Sequence, residues 1–335
     1  MIGRLCATTV VLAALSWVLA PAAASKPRTV TFLGDLGGGL SWPLDINDEG
    51  LIVGYSETQP DAPLGGPIHA FVWDGAMHDL GVAAPGDSSV ALGVNASGLI
   101  VGESGGLPVF WSDREIHGLP LPSGHLSGNA RAVNDRGVIV GQTHTVEPPG
   151  FTVSHAAVWE QGVPRLLPSL PGARIAGATD LNEGGQIVGF SAFTGSGLLH
   201  AVLWEGDTVR DLGALEGDFF SGTDSINEGG EIVGFSSGVD GPHVLVWRDG
   251  GFAVPRPFTR FPNSQAGGIN DRGEIAATVY LPTGECCSAV LAQGPDKRKV
   301  DVVQASAFSV DVNNLGHVIG VDTSGPEYRG FVWGR

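Results

Sequence analysis

The stretch Ile46-Asn47-Asp48-Glu49-Gly50, "INDEG", decides the reading of this chain because it returns. "VNASG" follows at Asn95, "VNDRG" at Asn134, "LNEGG" at Asn182, "INEGG" at Asn227, "INDRG" at Asn270 and "VNNLG" at Asn313. The seven copies lie 39 to 48 residues apart, and the Asn and the Gly are present in every one. Self-similarity at such a period marks a repeat architecture rather than a chain of unrelated domains.

The same parts surround each copy. Upstream runs a segment with small residues at alternate positions, as in "SWPLDI" and "SVALGV". Downstream comes a β-branched pair and usually a Gly, as in "LIVGYS", "LIVGES", "VIVGQT" and "EIVGFS". Then follow "HAFVW", "LPVFW", "HAAVW", "HAVLW", "HVLVW" and "RGFVW", with Leu291 expected at the Trp place of copy six, and last a segment such as "MHDLG" or "VRDLG". Short runs rich in Val, Ile, Phe and Trp, bounded by Gly, Pro and Asn, are strand signals. The N-x-x-G link has its own mechanism: Asn favours the first position of a type I turn, and Gly supplies the left-handed residue of the bulge that follows. No amphipathic helix stands out.

Four antiparallel strands per repeat predict an all-β chain, a seven-bladed β-propeller of four-stranded blades. Small residues of the first strand suit crowding near an axis, and the Trp of the third suits the wedge between blades. The ends agree. The last copy stops at "FVWGR", lacking its fourth strand, while "TVTFLGDLG" (residues 29–37) precedes the first Asn and resembles a fourth-strand ending. An N-terminal strand completing the last blade would close the ring and remove its open edges.

Arg4, the apolar run "VVLAALSWVLA" and small residues at Ala22 and Ala24 predict a signal peptide over residues 1–24, cut after Ala24. Cys6 precedes the apolar run, which argues against a lipoprotein. Residues 25–335 form the single propeller domain, expected to be secreted, extracellular or periplasmic. Without the leader, 17 basic and 35 acidic residues leave a net charge near −18, which disfavours nucleic acid and anionic membrane surfaces as partners. No later stretch is long and apolar enough to span a bilayer.

With the "HAF" of His69-Ala70-Phe71, the "DLG" endings, "IN-x-x-G" and "IVG" elements in hand, the chain resembles the bacterial extracellular HAF-repeat family over essentially its whole mature length. The resemblance implies location and repeat architecture, without an assigned reaction. Copies two, six and seven depart from the HAF triplet, so the blades are not equivalent.

Candidate chemistry is sparse. Gly102-Glu103-Ser104-Gly105-Gly106 fits a nucleophile-elbow pattern, but Ser104 shares a column with Ser56, Thr143, Ser191 and Ser236 and is expected to be scaffold. His69, His155, His200 and His243 share another column, where a hydrogen bond to a neighbouring blade is expected rather than a shared metal. Cys286 and Cys287 are either bridged or free thiols on alternating strand faces. Asn95-Ala96-Ser97 matches a glycosylation sequon, although Asn95 already serves the turn. No phosphate loop, HExxH or EF-hand motif is present, so no cofactor or metal is expected. Asp45, Asp180 and Asp311 on the inner strands are candidate channel carboxylates. The long connections between second and third strands and between blades are expected to emerge at one end, with Trp42, Phe219, Phe220 and Phe261 as contact aromatics in the inter-blade loops. An exported binding scaffold for a peptide, glycan or protein, using that end, is the expected function. A lyase or hydrolase using the channel carboxylates is the alternative.

Overall fold

A computed structural model of the chain describes residues 28–60, 66–193, 198–261, 263–280, 288–293 and 299–334. The predicted leader (1–24) and Cys286 and Cys287 lie outside the described residues. The described residues are almost entirely strand, with one 3-10 turn at Phe258–Arg260.

Each Asn-x-x-Gly copy sits between two paired strands, as its chemistry requires. The seven glycines have φ between 66° and 83°, a region open to Gly at little cost. In copy one Gly50 N–H donates to the Asn47 carbonyl at 3.1 Å, and Asn47 N–H donates to the Leu51 carbonyl at 3.1 Å. That is the type I turn with a following bulge, and the other six copies repeat it.

Seven antiparallel four-stranded units result. Their first strands are Ser41–Ile46, Ser89–Val94, Ser127–Val133, Ile175–Leu181, Phe220–Ile226, Asn263–Ile269 and Ala307–Val312. Blade 1 continues through Ile52–Glu57, Ile68–Trp73 and Met77–Asp79. The fourth and fifth units touch through one parallel pair, Leu199 of a third strand with Phe220 at the start of a first strand. In the seventh, the missing fourth strand is Val30–Phe32 from the N-terminal end, paired antiparallel with Arg329–Trp333. Each first strand packs against the first strands of both neighbouring blades, including the first against the last. This is a β-propeller.

The Asn side chains tie the blades into a circuit. Each buried carboxamide donates to the main-chain carbonyl of the next Asn: 47 to 95, 95 to 134, 134 to 182, 182 to 227, 227 to 270, 270 to 313, and 313 back to 47, at 2.9–3.4 Å. Its Oδ1 accepts the N–H four residues on in its own turn at 2.9–3.0 Å. The buried amide is thus satisfied on both sides. Asn95 is part of this ring and buried, so its sequon is not an accessible acceptor.

Two other columns stitch blade to blade. The indole N–H of Trp111, Trp159, Trp204 and Trp247 donates to a carbonyl beyond the fourth strand of the preceding blade, Leu80, Pro120, Pro168 and Leu212, at 2.7–3.0 Å. Serines that begin or nearly begin first strands accept a third-strand N–H of the preceding blade: Ser89 from Ala70, Ser221 from Ala201, Ser264 from Val244 and Ser41 from Gly330, at 2.8–3.1 Å.

The structure corrects several expectations. In copy six the ladder sets Ala292, not Leu291, opposite Ile275, the place of Trp in every other blade. Without a Trp to anchor the count, the sequence gives a register one residue off, and in a strand one residue reverses the face. The volume is supplied instead by Phe258, fully buried from the 3-10 turn and clustered with Val246 and Ala292. "THTVEPPGFTVS" is not a loop. Its Thr- and Val-rich arms extend the second and third strands to the pair Glu147–Phe151, and only Pro148-Pro149-Gly150 turns. The same connection is just Gly105-Gly106 in copy two and Val239-Asp240 in copy five, so long connections are not shared by all blades.

Asn95→Asp keeps the turn acceptor but removes the donor to Asn134 and sets a carboxylate against a carbonyl. We expect a loss of about 1–3 kcal/mol in urea unfolding. An unchanged midpoint would show that the circuit does not stabilise the fold. Deleting residues 28–34 bares the Arg329–Trp333 edge. A lowered melting temperature and concentration-dependent self-association in sedimentation are expected, and an equally stable monomer would contradict the closure.

Candidate functional site

Every first strand carries a register shift three residues before its Asn, skipping Leu44, Leu92, Arg131, Thr179, Asp224, Gly267 and Val310 in turn. A bulge of this kind breaks strict alternation and re-aims a side chain. Two consecutive residues of a blade thereby face the axis: Leu44 with Asp45, Arg131 with Ala132, Thr179 with Asp180, Asp224 with Ser225, and Val310 with Asp311 all line one axial chamber of about 300 Å³.

Asp45, Asp180 and Asp311 are therefore where the sequence suggested, on the channel wall. Asp224 and Arg131 complete the set and escaped the sequence reading, which followed strict alternation. A charge in either of two adjacent columns of an otherwise small and apolar strand is the signal that would have found them.

The acids are strongly perturbed. The Asp45 carboxylate accepts Ile46 N–H at 2.7 Å and Val94 N–H of the next blade at 2.7 Å. Asp180 repeats this with Leu181 at 2.8 Å and Ile226 at 2.9 Å. Burial still pushes Asp180 up to about 7, against those bonds. It also pushes Asp224 up to about 7, where the positive charge of Arg131 offsets part of the cost. Asp45 and Asp311 share a hydrogen bond, and burial raises both; Asp311 rises well above the carboxylate range because the Asp45 charge adds to desolvation. Ionising one of these two confined carboxyls opposes ionising the other.

Toward the turn end the axis opens into a vestibule of about 380 Å³, walled by the Asn circuit and the residues after each Asn. There a second circuit runs. Ala96 N–H donates to Asp135, Asp135 N–H to Glu183, Glu183 N–H to Glu228, Glu228 N–H to Asp271, Asp271 N–H to Asn314 and Asn314 N–H to Asp48, at 2.5–2.9 Å. Ala96 has no side-chain acceptor, so it interrupts the ring. The outcome is an acidic rim.

The opposite end exposes aromatic and aliphatic side chains. Trp42 lies not in a loop but in the first strand of blade 1, opposite Tyr55 in the ladder. Its ring stacks on Tyr55 (6.4 Å, 2°) and on Phe308 of blade 7 (6.3 Å, 22°), with Tyr328 tilted beside it at 6.0 Å. Phe219 precedes a first strand and Phe220 begins it; the two meet edge to face at 5.5 Å, and both are exposed. Leu107, Leu126, Val146, Phe151 and Val239 are also exposed at this end. Phe261 instead packs against the cluster around Phe258, so its role is structural.

The remaining candidates resolve as scaffold. Ser104 Oγ is buried and accepts Ala83 N–H at 2.9 Å, and Ser56, Ser191 and Ser236 likewise accept a loop N–H, from Leu36, Leu170 and Leu215. His69 and His200 do not reach a neighbouring blade. Their Nδ1 atoms meet Asp79 and Asp211 of the same blade's "DLG" at 2.9 and 2.6 Å. Copy three has no such Asp, and His155 turns to Thr145 Oγ1 at 2.9 Å. In copy six the His column falls on Ser288. His155 also lies 5.0 Å from His125, and with His144 nearby all three imidazoles are pushed down by burial, toward neutrality. Among the described residues no three His, Cys, Asp or Glu converge to hold a metal ion.

The channel acids give a pH signature. A carboxyl raised from 3.8 to about 7 on folding holds an extra proton between those values, so its contribution falls as pH rises from about 4 to 7 and stays low above. Asp224→Asn should raise stability by about 1–3 kcal/mol at pH 8 and leave it unchanged near pH 4. Equal effects at both pH values in paired melts would contradict the buried-acid assignment.

No protein-family model matches the sequence, and no curated protein matches it. Among solved structures, the β-propeller domain of the Trilobed protease from Pyrococcus furiosus, which has an open velcro topology, is similar with a TM-score of 0.54 at 9% identity, covering 88% of this chain and 94% of that chain. A putative glucose dehydrogenase from Thermus thermophilus (TM-score 0.43, 12% identity, 92% and 100% covered) and a gluconolactonase from Xanthomonas campestris (0.40, 15%, 76% and 91%) are more distant in shape. The first likeness establishes what the pairing already indicates: the chain is a β-propeller.

Proposed function

We propose that this protein is an exported, non-catalytic binding scaffold of the HAF-repeat kind, engaging its ligand through the loop end of the propeller. The observation that carries the reading is the stacked Trp42, Tyr55 and Phe308 set across the seam of blades 7 and 1, with exposed Tyr328 beside it. Aromatic rings held by strands keep their orientation without a ligand, so binding orders little, and they offer flat apolar faces to a sugar ring or a peptide side chain. Variable connections around such a platform are where recognition usually resides. The predicted leader supports export, and no helix among the described residues is long and apolar enough to cross a membrane.

The enzymatic alternative draws support from the raised channel acids, but Asp45 and Asp180 each already accept two backbone N–H bonds that hold neighbouring blades. The chamber's side-chain hydroxyls are those of Thr179, Ser225 and Ser309, of which Ser225 bonds the Asp180 carboxyl, and no His lines the chamber.

On glycan and peptide arrays, Trp42→Ala combined with Phe308→Ala should weaken any binding by about tenfold or more, the scale of lost aromatic anchors. Leu315→Ser, at the other end, should leave it intact. Binding that survives the double substitution, or turnover of an arrayed ligand, would overturn the reading.

A further inference from the structure

Five residues before each Asn lies the first-strand position that borders the loop-end mouth of the channel. Trp42, Val90, Asn129 and Phe308 are half-buried there, while the residues on both sides of each are buried. In blades 4 and 5 this inner position is Gly177 and Gly222, set in the ladder opposite Phe190 and Phe235 as Trp42 is opposite Tyr55. Two aromatic rings take the space the glycines leave. A Cβ on Gly177 would meet the Phe190 ring at 2.7 Å, and one on Gly222 would meet the Phe235 ring at 2.7 Å, so both rings lean over the inner strand. Blades 4 and 5 stand across the axis from the seam of blades 7 and 1, where Trp42, Tyr55 and Phe308 stack. The mouth therefore has two aromatic walls on opposite sides. Carboxamides stand between them. Gln142 of blade 3 is half-buried, and its Oε1 lies 2.7 Å from that same Cβ place of Gly177, beside the Phe190 ring. Gln265 of blade 6 is exposed, and the Tyr280 hydroxyl donates to its Oε1 at 3.0 Å, leaving the amide N–H groups to donate. In these inner and facing columns Glu103 is the one charged side chain, its carboxyl bonded to Gly106 N–H.

We propose that this mouth binds a neutral oligosaccharide, with one sugar ring on the Trp42 wall, another on Phe190 and Phe235, and hydroxyls on the amides of Gln142 and Gln265. The inference rests on the loop-end binding reading and gives it a ligand class. A pyranose pairs an apolar C–H face with a rim of hydroxyls. It is matched by a flat ring beside a group that both donates and accepts, and a carboxamide does both. Acidic sugars are disfavoured, because neither column holds a Lys or Arg and the whole chain carries a formal net charge of −17. An extended peptide draws affinity from main-chain bonds along one sheet edge, and a proline-rich one from aromatic rings side by side in one groove. Here the rings are divided between opposite sides of the axis, with amides on either hand. A single sugar reaches one wall, and only a chain of several reaches both.

The test is titration calorimetry of the whole protein with cellohexaose, mannohexaose, maltohexaose and chitohexaose. Glucose, a hexamer of galacturonic acid and a proline-rich peptide serve as comparisons. Saturable binding of at least one neutral hexamer is expected, about tenfold or more tighter than glucose, because two linked contacts act together. Phe190→Ala, on the wall away from the seam, should weaken that hexamer about tenfold, and Gln142→Ala a few-fold. Leu315→Ser, at the turn end, should change nothing. Should Phe190→Ala fail to fold by melting and circular dichroism, Gln142→Ala and Gln265→Ala carry the test. The proposal is overturned by absent saturable binding of all four hexamers, by glucose or the galacturonate hexamer binding as tightly, or by hexamer affinity unmoved in the folded variants. Peptide binding that Trp42→Ala with Phe308→Ala abolishes, without binding of any hexamer, overturns this ligand class and leaves the scaffold reading standing. Turnover of a bound neutral hexamer does the reverse.

Discussion

One buried carboxamide, repeated seven times, holds the molecule together. Each Asn accepts within its own turn and donates to the next blade, so turn geometry and blade packing are set by one side chain. The receiving carbonyl bonds the turn glycine as well, filling both lone pairs: Asn95 O accepts from Gly98 N–H and from Asn47 Nδ2. Asp would lose the donor, and Ser the reach. A buried amide satisfied on every side is costly to disturb and specific in what it tolerates. Closure from Asn313 to Asn47 spans 266 positions of sequence, yet reuses the bond that joins adjacent copies.

The two ends of the propeller follow from where this bond sits. Close-packed turns bring the residue after each Asn to the axis, and its carboxylates cap the N–H groups of the preceding blade. An acidic, hydrogen-bonded end results. At the other end the connections differ from blade to blade, no common bond is required of them, and aromatic and aliphatic side chains remain exposed. Between the ends, the bulge supplies the chamber. First strands are the inner edges of their blades, and at Val94 and Ile226 the Asp of the preceding blade takes the backbone N–H. The chamber acids differ in how they are held: Asp311 bonds the Val312 N–H and Asp45, whereas Asp224 has the charge of Arg131 beside it and no backbone bond.

Motif resemblance had a local cause throughout. Gly102-Glu103-Ser104-Gly105-Gly106 ends a second strand and makes a two-residue hairpin in which both glycines have positive φ, 58° and 78°. Ser104 holds down the loop at Ala83. In the histidine column, His69 and His200 pair with the "DLG" aspartate of their own blade, and His155, whose blade lacks one, bonds Thr145.

Much was legible before any coordinates, and for a local reason. The Asn and Gly, the β-branched pairs and the Trp act through backbone geometry and strand propensity within a few residues, so most strands, the turn type and the propeller they build could be read directly. Asp45, Asp180 and Asp311 could be placed because they stand two residues before an Asn of known geometry. Side-chain direction is another matter, because it depends on register. The bulge that turns Asp224 and Arg131 to the axis, the shift that puts Ala292 in the Trp place with Phe258 filling behind it, and the same-blade partners of His69 and His200 arise only when ladders and neighbouring blades are in contact. Sequence by itself determined the repeat and its ring; the tertiary structure decided what faces the axis, because one residue of register reverses a side chain and only packing between blades sets that register.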